Sequence, residues 1–210
     1  MIAIVDYGMG NLRSVQKAVE KVGFEARITR SPAAIADAGA VILPGVGAFK
    51  DCMDNLEQFS LIDPVLRAIH SGKPFLGICL GLQLLFTESL EFGRHPGLGV
   101  VEGVVRPFST TLPDPDRPGG YLKIPHMGWN AIRKTKETPA LDPVKDGDYF
   151  YFVHSYYVDP VADEVVAAVS DYGGEFVAAV AFDNVLATQF HPEKSQRQGL
   201  AILKSFAELS

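Results

Sequence analysis

The chain has 210 residues, 47% hydrophobic and 21% charged, a balance that supplies apolar surface for a buried core and argues against disorder. Its 19 basic and 25 acidic residues give a formal charge of −6, and no Lys/Arg run stands ready to grip a phosphate backbone, so no nucleic-acid partner is expected. The longest apolar run with strand character, 176–182, is far shorter than the roughly 20 residues of a membrane-spanning helix, and two cysteines are too few for a disulfide framework or a four-ligand zinc site.

Residues 2–5 read as a short strand, and Asn11 is then expected to cap a helix whose Leu12, Val15, Val19 and Val22 recur at helical spacing until Gly23. Residues 24–29 alternate apolar and polar as a half-buried strand does, and Ser31-Pro32 puts a capping residue and an N1 proline before another helical turn. The next strand, 40–43, is expected to break at Pro44-Gly45. A helical stretch holding Val65, Leu66 and Ile69 leads through Gly72 and Pro74 into the apolar run 75–78, then Cys79 and an almost wholly apolar segment to Phe86.

Strands alternating with helices predict a parallel sheet covered on both faces. Short β-rich runs then dominate: 100–105, 149–153, 164–169, 176–182 and 185–190, the last two separated by Asp183-Asn184, a two-residue hairpin turn. The prolines of 107–120 mark a long irregular loop, and Leu200, Leu203 and Phe206 mark a final helix. The expected fold class is α/β: a mostly parallel central sheet flanked by helices, with added antiparallel strands, in one domain spanning 1–210. The first residues lack the basic-then-apolar pattern of a secretory leader, so a cytosolic, reducing compartment is expected.

The sharpest chemical signal is Gly77-Ile78-Cys79-Leu80-Gly81, a nucleophile between glycines where a strand turns into a helix. Glycines permit the tight turn, which lifts the thiol off the sheet edge at a helix N-terminus and predicts a reactive Cys79. The plainer reading is a buried core cysteine acting as a small hydrophobe. A cysteine nucleophile needs a base and a group to orient that base. Gln189-Phe190-His191-Pro192-Glu193 supplies both, since residues two apart in an extended segment point the same way. Against this stands an ordinary surface loop after the last strand.

Leu43-Pro44-Gly45-Val46-Gly47-Ala48-Phe49 also follows a strand, and its free N–H groups, with that of Leu80, suit an oxyanion hole; an ordinary βα turn is the alternative. The first glycine loop, Asp6-Tyr7-Gly8-Met9-Gly10-Asn11, is not a dinucleotide fingerprint, because Arg13 stands where the last glycine is required. No cofactor and no metal site are expected. Cys52, which sits in a polar helical stretch, His70 and His95 read as incidental, and His126 and His154 as structural or interface histidines.

The elbow with Gln83, the Pro44-Gly45-Val46-Gly47 segment and His191-Pro192-Glu193 together resemble the class I (triad) glutamine amidotransferase family. Further blocks, 5–15, Pro125-His126-Met127-Gly128-Trp129-Asn130, 151–157 and 191–196, resemble within it the glutaminase subunits of imidazole glycerol phosphate synthases, over essentially the whole chain. The resemblance implies that Cys79 forms a γ-glutamyl thioester and releases ammonia, that His191 acts as base and then acid, and that Glu193 orients it. It implies an oxyanion or substrate role for Gly45, Val46, Gly47, Leu80, Gln83, Ser155 and Tyr156, with a peptide rotation in the oxyanion strand making activity depend on a partner.

It also implies a separate (β/α)8 synthase (cyclase) subunit as heterodimer partner. That subunit would use the ammonia to form imidazole glycerol phosphate and an aminoimidazole carboxamide nucleotide in histidine biosynthesis. Gly10, Asn11, Met127, Trp129 and Lys194 would face it. The competing readings are a stand-alone cysteine hydrolase, a non-catalytic docking module, and an amidotransferase serving anthranilate or guanylate synthesis; Gln83 and the His-Pro-Glu order disfavour the first, and the 125–130 block the last.

Overall fold

The alternation of apolar runs and amphipathic stretches becomes a layered α/β structure in a computed structural model that describes residues 1–115 and 117–210. Strand β1 (Ile2–Val5) leads through helix α1 (Leu12–Lys21) to β2 (Ala26–Thr29), and α2 (Pro32–Asp37) leads to β3 (Ala40–Gly45). Helices α3 (Phe49–Gln58) and α4 (Ile62–His70) precede β4 (Phe75–Cys79), and a single turn, α5 (Leu80–Gln83), succeeds it directly. Then come β5 (Phe86–Ser89), β6 (His95–Pro96), β7 (Val101–Pro107), β8 (His126–Ala131), β9 (Arg133–Lys134) and β10 (Tyr149–His154). After these run β11 (Tyr156–Pro160), β12 (Val166–Asp171), β13 (Glu175–Phe182), β14 (Val185–Thr188) and α6 (Gln196–Glu208).

The main sheet has the order β2-β1-β3-β4-β14-β13-β12-β9. Its first five strands are parallel, and β13, β12 and β9 extend it antiparallel, as the sequence leads one to expect. The 183–184 hairpin turn joins β13 to β14, with Asp183 at φ +43°. Two smaller sheets, β11-β7-β5-β6 and β10-β8, pack beside it.

Strand alternation sends side chains to opposite faces. Ile2, Ile4, Ile42 and Ile78 meet Val15 and Val19 of α1 and Ile202, Leu203 and Phe206 of α6. Ala3, Val5, Val41 and Leu43 meet Phe49 and Leu56 of α3 and Val65 and Ile69 of α4. Each fully buried Ile, Leu or Phe contributes about 1.5–3 kcal/mol, so both helical layers are held chiefly by these stripes.

Three elements differ from expectation. β3 continues through Pro44 and Gly45. β1 pairs with β3 only to Ile42, so the N–H that Pro44 lacks leaves no ladder bond unmade there. The apolar segment after Cys79 is one helical turn, and Phe86 already belongs to β5. Asn11 precedes α1 without a side-chain cap, whereas the Ser31 hydroxyl accepts from Ala34 N–H at 3.3 Å.

Candidate active site

β4 and β14 are parallel neighbours, and the segments leaving their C-terminal ends build the site. The chain turns at Cys79 with φ +56° and ψ −108°, a left-handed conformation that costs a side-chain-bearing residue on the order of 1–3 kcal/mol. Two glycines make the turn possible. A Cβ on Gly81 would lie 1.9 Å from the Leu43 carbonyl oxygen, and one on Gly45 would lie 2.7 Å from the Tyr7 hydroxyl and 2.8 Å from Leu80 Cβ. The C-terminal end of β3 therefore presses directly on the elbow, with Gly45 in register with Cys79.

A cavity of about 270 Å³ opens above this contact, lined by Val46, Gly47, Cys79, Leu80, Gln83, Ser155, Tyr156 and His191, together with Glu91, Pro125, Val153 and His154. Gly45 lies behind the wall and is not in it. As the first residue of α5, Leu80 carries an N–H with no partner inside that helix.

His191 and Glu193 are not on a surface loop. Their side chains are 2% and 1% exposed, with His191 Nδ1 2.8 Å from Glu193 Oε1. The Ser195 hydroxyl donates to the His191 carbonyl at 2.7 Å, and the His191 backbone N–H donates to Tyr151 O at 2.9 Å, so the backbone beneath the ring is clamped. His191 Nε2 is buried and makes no hydrogen bond to a described residue. Burial disfavours charge on the ring, but the facing Cys79 sulfur and the Glu193 carboxylate outweigh it and lift its pKa to about 10.

Several neighbours were not foreseen from sequence. Glu91 places a half-buried carboxylate in the cavity wall, accepting from Phe49 N–H at 2.6 Å, and burial raises its pKa. Cys52 is fully buried rather than on a polar face: its sulfur lies 3.6 Å from the Tyr7 hydroxyl and 3.6 Å from Val46 O, and burial pushes the thiol up to about 12. The wholly buried Tyr7 donates to Pro44 O at 2.8 Å.

The pairing of β10 with β8 sets His154 opposite His126. His154 Nδ1–H donates to Tyr156 O at 2.8 Å, so its Nε2 must accept, which makes His126 Nδ1 the donor across 2.9 Å. His126 Nε2 in turn faces the Asn130 amide at 3.3 Å. Both histidines are buried, and His126 stacks between Phe152 and Tyr172.

Burial lowers the His154 pKa to about 3 and that of His126 to about 4, so both rings stay neutral in the folded protein while the unfolded chain takes up protons near 6.5. Their support is therefore complete above pH 6.5 and lost as pH falls toward 4, at about 1.4 kcal/mol per pH unit for each ring. Support from the raised His191 has the opposite sign, present below 6.5 and lost as pH rises through about 10. Urea unfolding at pH 7 and pH 5 is expected to show a midpoint that falls on acidification, and His154→Asn to fall less between those two pH values. An equal drop in both proteins would remove His154 from the account.

Of the residues expected at an interface, Met127 is 61% and Trp129 46% exposed on β8, with Tyr149 of the paired β10 also exposed. Trp129 and Tyr151 are register partners with rings 6.2 Å apart, Lys194 Nζ lies 5.7 Å from the Tyr151 ring, and that ring lies 6.5 Å from His191. Asn11 is exposed and Gly10 half-buried on the loop before α1. Among the described residues, no group of three or more His, Cys, Asp or Glu side chains is placed to hold a metal ion, and no helix is long and apolar enough to cross a membrane.

A family model described as "Glutamine amidotransferase class-I" matches residues 3–209. The chain is 57% identical over 209 residues to the "Imidazole glycerol phosphate synthase subunit HisH" of Syntrophotalea carbinolica, covering 100% of each chain. It is 56% identical to the protein of that name from Geobacter sulfurreducens, over 99% of this chain and 98% of that one, and 50% identical to that of Aquifex aeolicus, over 97% and 94%. Solved structures share the fold at low identity. A glutamine amidotransferase superposes with a TM-score of 0.73 at 20% identity, covering 100% of this chain and 98% of that one. The PurLQS structure from Thermotoga maritima gives a TM-score of 0.73 at 20% identity, covering 99% and 97%.

Proposed function

The chain belongs to the class I glutamine amidotransferase family, in the branch of the imidazole glycerol phosphate synthase HisH subunits, and on that premise we propose how its residues release ammonia from glutamine. The observation that carries the reading is the meeting, in one cavity, of a strained Cys79 and a His191 whose Nδ1 is held by Glu193. Cys79 attacks the side-chain amide carbon of glutamine as the thiolate, its proton held on His191 Nε2. The tetrahedral oxyanion is held by N–H groups of Leu80 and of Val46-Gly47 in the cavity wall. His191 returns the proton to the leaving nitrogen, so ammonia departs and a γ-glutamyl thioester remains. Water then attacks with His191 again as base, releasing glutamate and restoring the thiol.

Glu193 fixes the ring so that Nε2 faces the reacting atoms, and its carboxylate stabilises the imidazolium. Glu91 offers the cavity's negative charge to the α-ammonium of glutamine, while Gln83, Ser155 and Tyr156 complete the binding wall. The residues act within one amidotransferase domain spanning 1–210, in the cytoplasm, with the synthase (cyclase) subunit as heterodimer partner. That partner receives the ammonia and makes imidazole glycerol phosphate and an aminoimidazole carboxamide nucleotide, a step of histidine biosynthesis.

The test is glutamate release by the purified chain alone and mixed with the synthase subunit and its nucleotide ligand. A negligible rate alone that rises by orders of magnitude in the mixture is expected. A high rate indifferent to the partner would indicate an autonomous hydrolase, and no rate in either tube a docking module. In the same mixture Trp129→Ala is expected to weaken assembly by about 2 kcal/mol, because an exposed aromatic amid Met127 and Tyr149 suits an interface anchor. An unchanged dissociation constant by calorimetry would return Trp129 to the ordinary surface.

A further inference from the structure

We propose that Gln189 is a further catalytic residue whose side-chain amide donates a hydrogen bond to the Cys79 sulfur; this rests on the reading of Cys79 as the nucleophile. Gln189 is fully buried just past β14, its backbone pinned by an N–H donated to Ala178 O at 2.8 Å, and its Nε2 lies 3.8 Å from Cys79 Sγ.

The direction of that amide is set by a chain of hydrogen bonds anchored on a backbone carbonyl. Tyr156 O can only accept, so the Gln83 side chain 3.1 Å away must present its nitrogen there. The same Gln83 Nε2 lies 3.0 Å from the Gln189 side chain, and its second hydrogen requires an acceptor, which is Gln189 Oε1. Gln189 is thereby turned with its nitrogen toward the sulfur. His154 Nδ1–H on the other lone pair of Tyr156 O holds the anchor in place.

The sulfur carries negative charge after His191 removes its proton and again when the thioester releases it. An N–H donor favours those states, as the facing His191 ring does, whereas Val153 O, 3.9 Å from the sulfur, is an acceptor that serves only the neutral thiol. The one-turn α5 supplies little helix dipole, so the Gln189 amide is a directed donor to the sulfur alongside the proton-bearing His191.

Gln189→Glu is the informative variant, because it keeps an acceptor for Gln83 and sets a carboxylate oxygen in place of the donor. Turnover in the presence of the synthase subunit and its nucleotide, and alkylation of Cys79 by iodoacetamide across pH, monitored by peptide mass, are the readouts. Gln189→Glu is expected to lower kcat at least tenfold with KM within about threefold, and to move the alkylation profile to higher pH. Gln189→Met, matched in length and uncharged, is expected to do the same more weakly. Wild-type kcat and alkylation in both variants would overturn the proposal, as would loss of folding in both, which would make Gln189 structural. Cys79→Ala separates the two readings: if it retains activity, the nucleophile assignment fails, whereas an inactive Cys79→Ala beside a fully active Gln189→Glu discards Gln189 alone.

Discussion

Cys79→Ser is expected to lower glutamine hydrolysis by about 10⁴-fold or more while leaving the fold and partner binding intact. The substitution changes one buried atom, keeps the side chain at the elbow, and disturbs neither Gly81 against Leu43 nor the Glu193–His191 pair. What it removes is chemical. The geometry offers His191 as the base facing the position, and a hydroxyl gives up its proton far less readily than a thiol, so attack on the amide stalls before the tetrahedral state. Glutamate release in the assembled complex measures the loss, and a melting transition within a few degrees of the parent shows that it is catalytic. Turnover near the parental rate would place the nucleophile elsewhere.

Glu193→Gln carries the second large effect, an expected drop of about 10³- to 10⁴-fold in kcat with little change in KM. Glu193 Oε1 accepts from His191 Nδ1–H at 2.8 Å, which reserves Nε2 for the proton exchanged with Cys79 and the substrate. An amide in that position can present N–H to Nδ1, forcing the proton onto Nε2 and removing the base. The change also takes away one of the two groups that raise the ring to about 10, so the charged ring becomes harder to form. A pH–rate profile of the assembled enzyme reads both consequences at once. A variant with parental kcat would mean that the buried carboxylate does no more than fill space.

What the sequence disclosed was local. The elbow glycines flank Cys79 within five residues, and His191 and Glu193 are two apart, so short-range geometry suffices to mark these three candidates and the strand-helix alternation around them. The parallel sheet with antiparallel additions came from the same periodicities. The segment after Cys79 was harder to read because Leu82, Leu84 and Leu85 are all buried, and a run that is apolar on every side does not distinguish a turn of helix from the approach to a strand. Glu91, Cys52, the His126–His154 pair and the direction of the Gln189 amide depend on pairings between distant elements. Gln83 and Gln189 are 106 residues apart, and His126 and His154 meet only through the β10–β8 register. No spacing rule carries that information.

The place of β14 between β4 and β13 has a consequence for biogenesis. Because Cys79 and His191 follow adjacent strands that are distant in the chain, with the Gln189 contact to Cys79 spanning 110 residues, a nascent polypeptide emerging from the ribosome carries Cys79 long before His191 and Glu193 are made. Until the stretch ending at Glu193 has been translated and laid beside β4, the cavity around Cys79 lacks the part of its wall that His191 supplies, so the pocket is completed only late in synthesis.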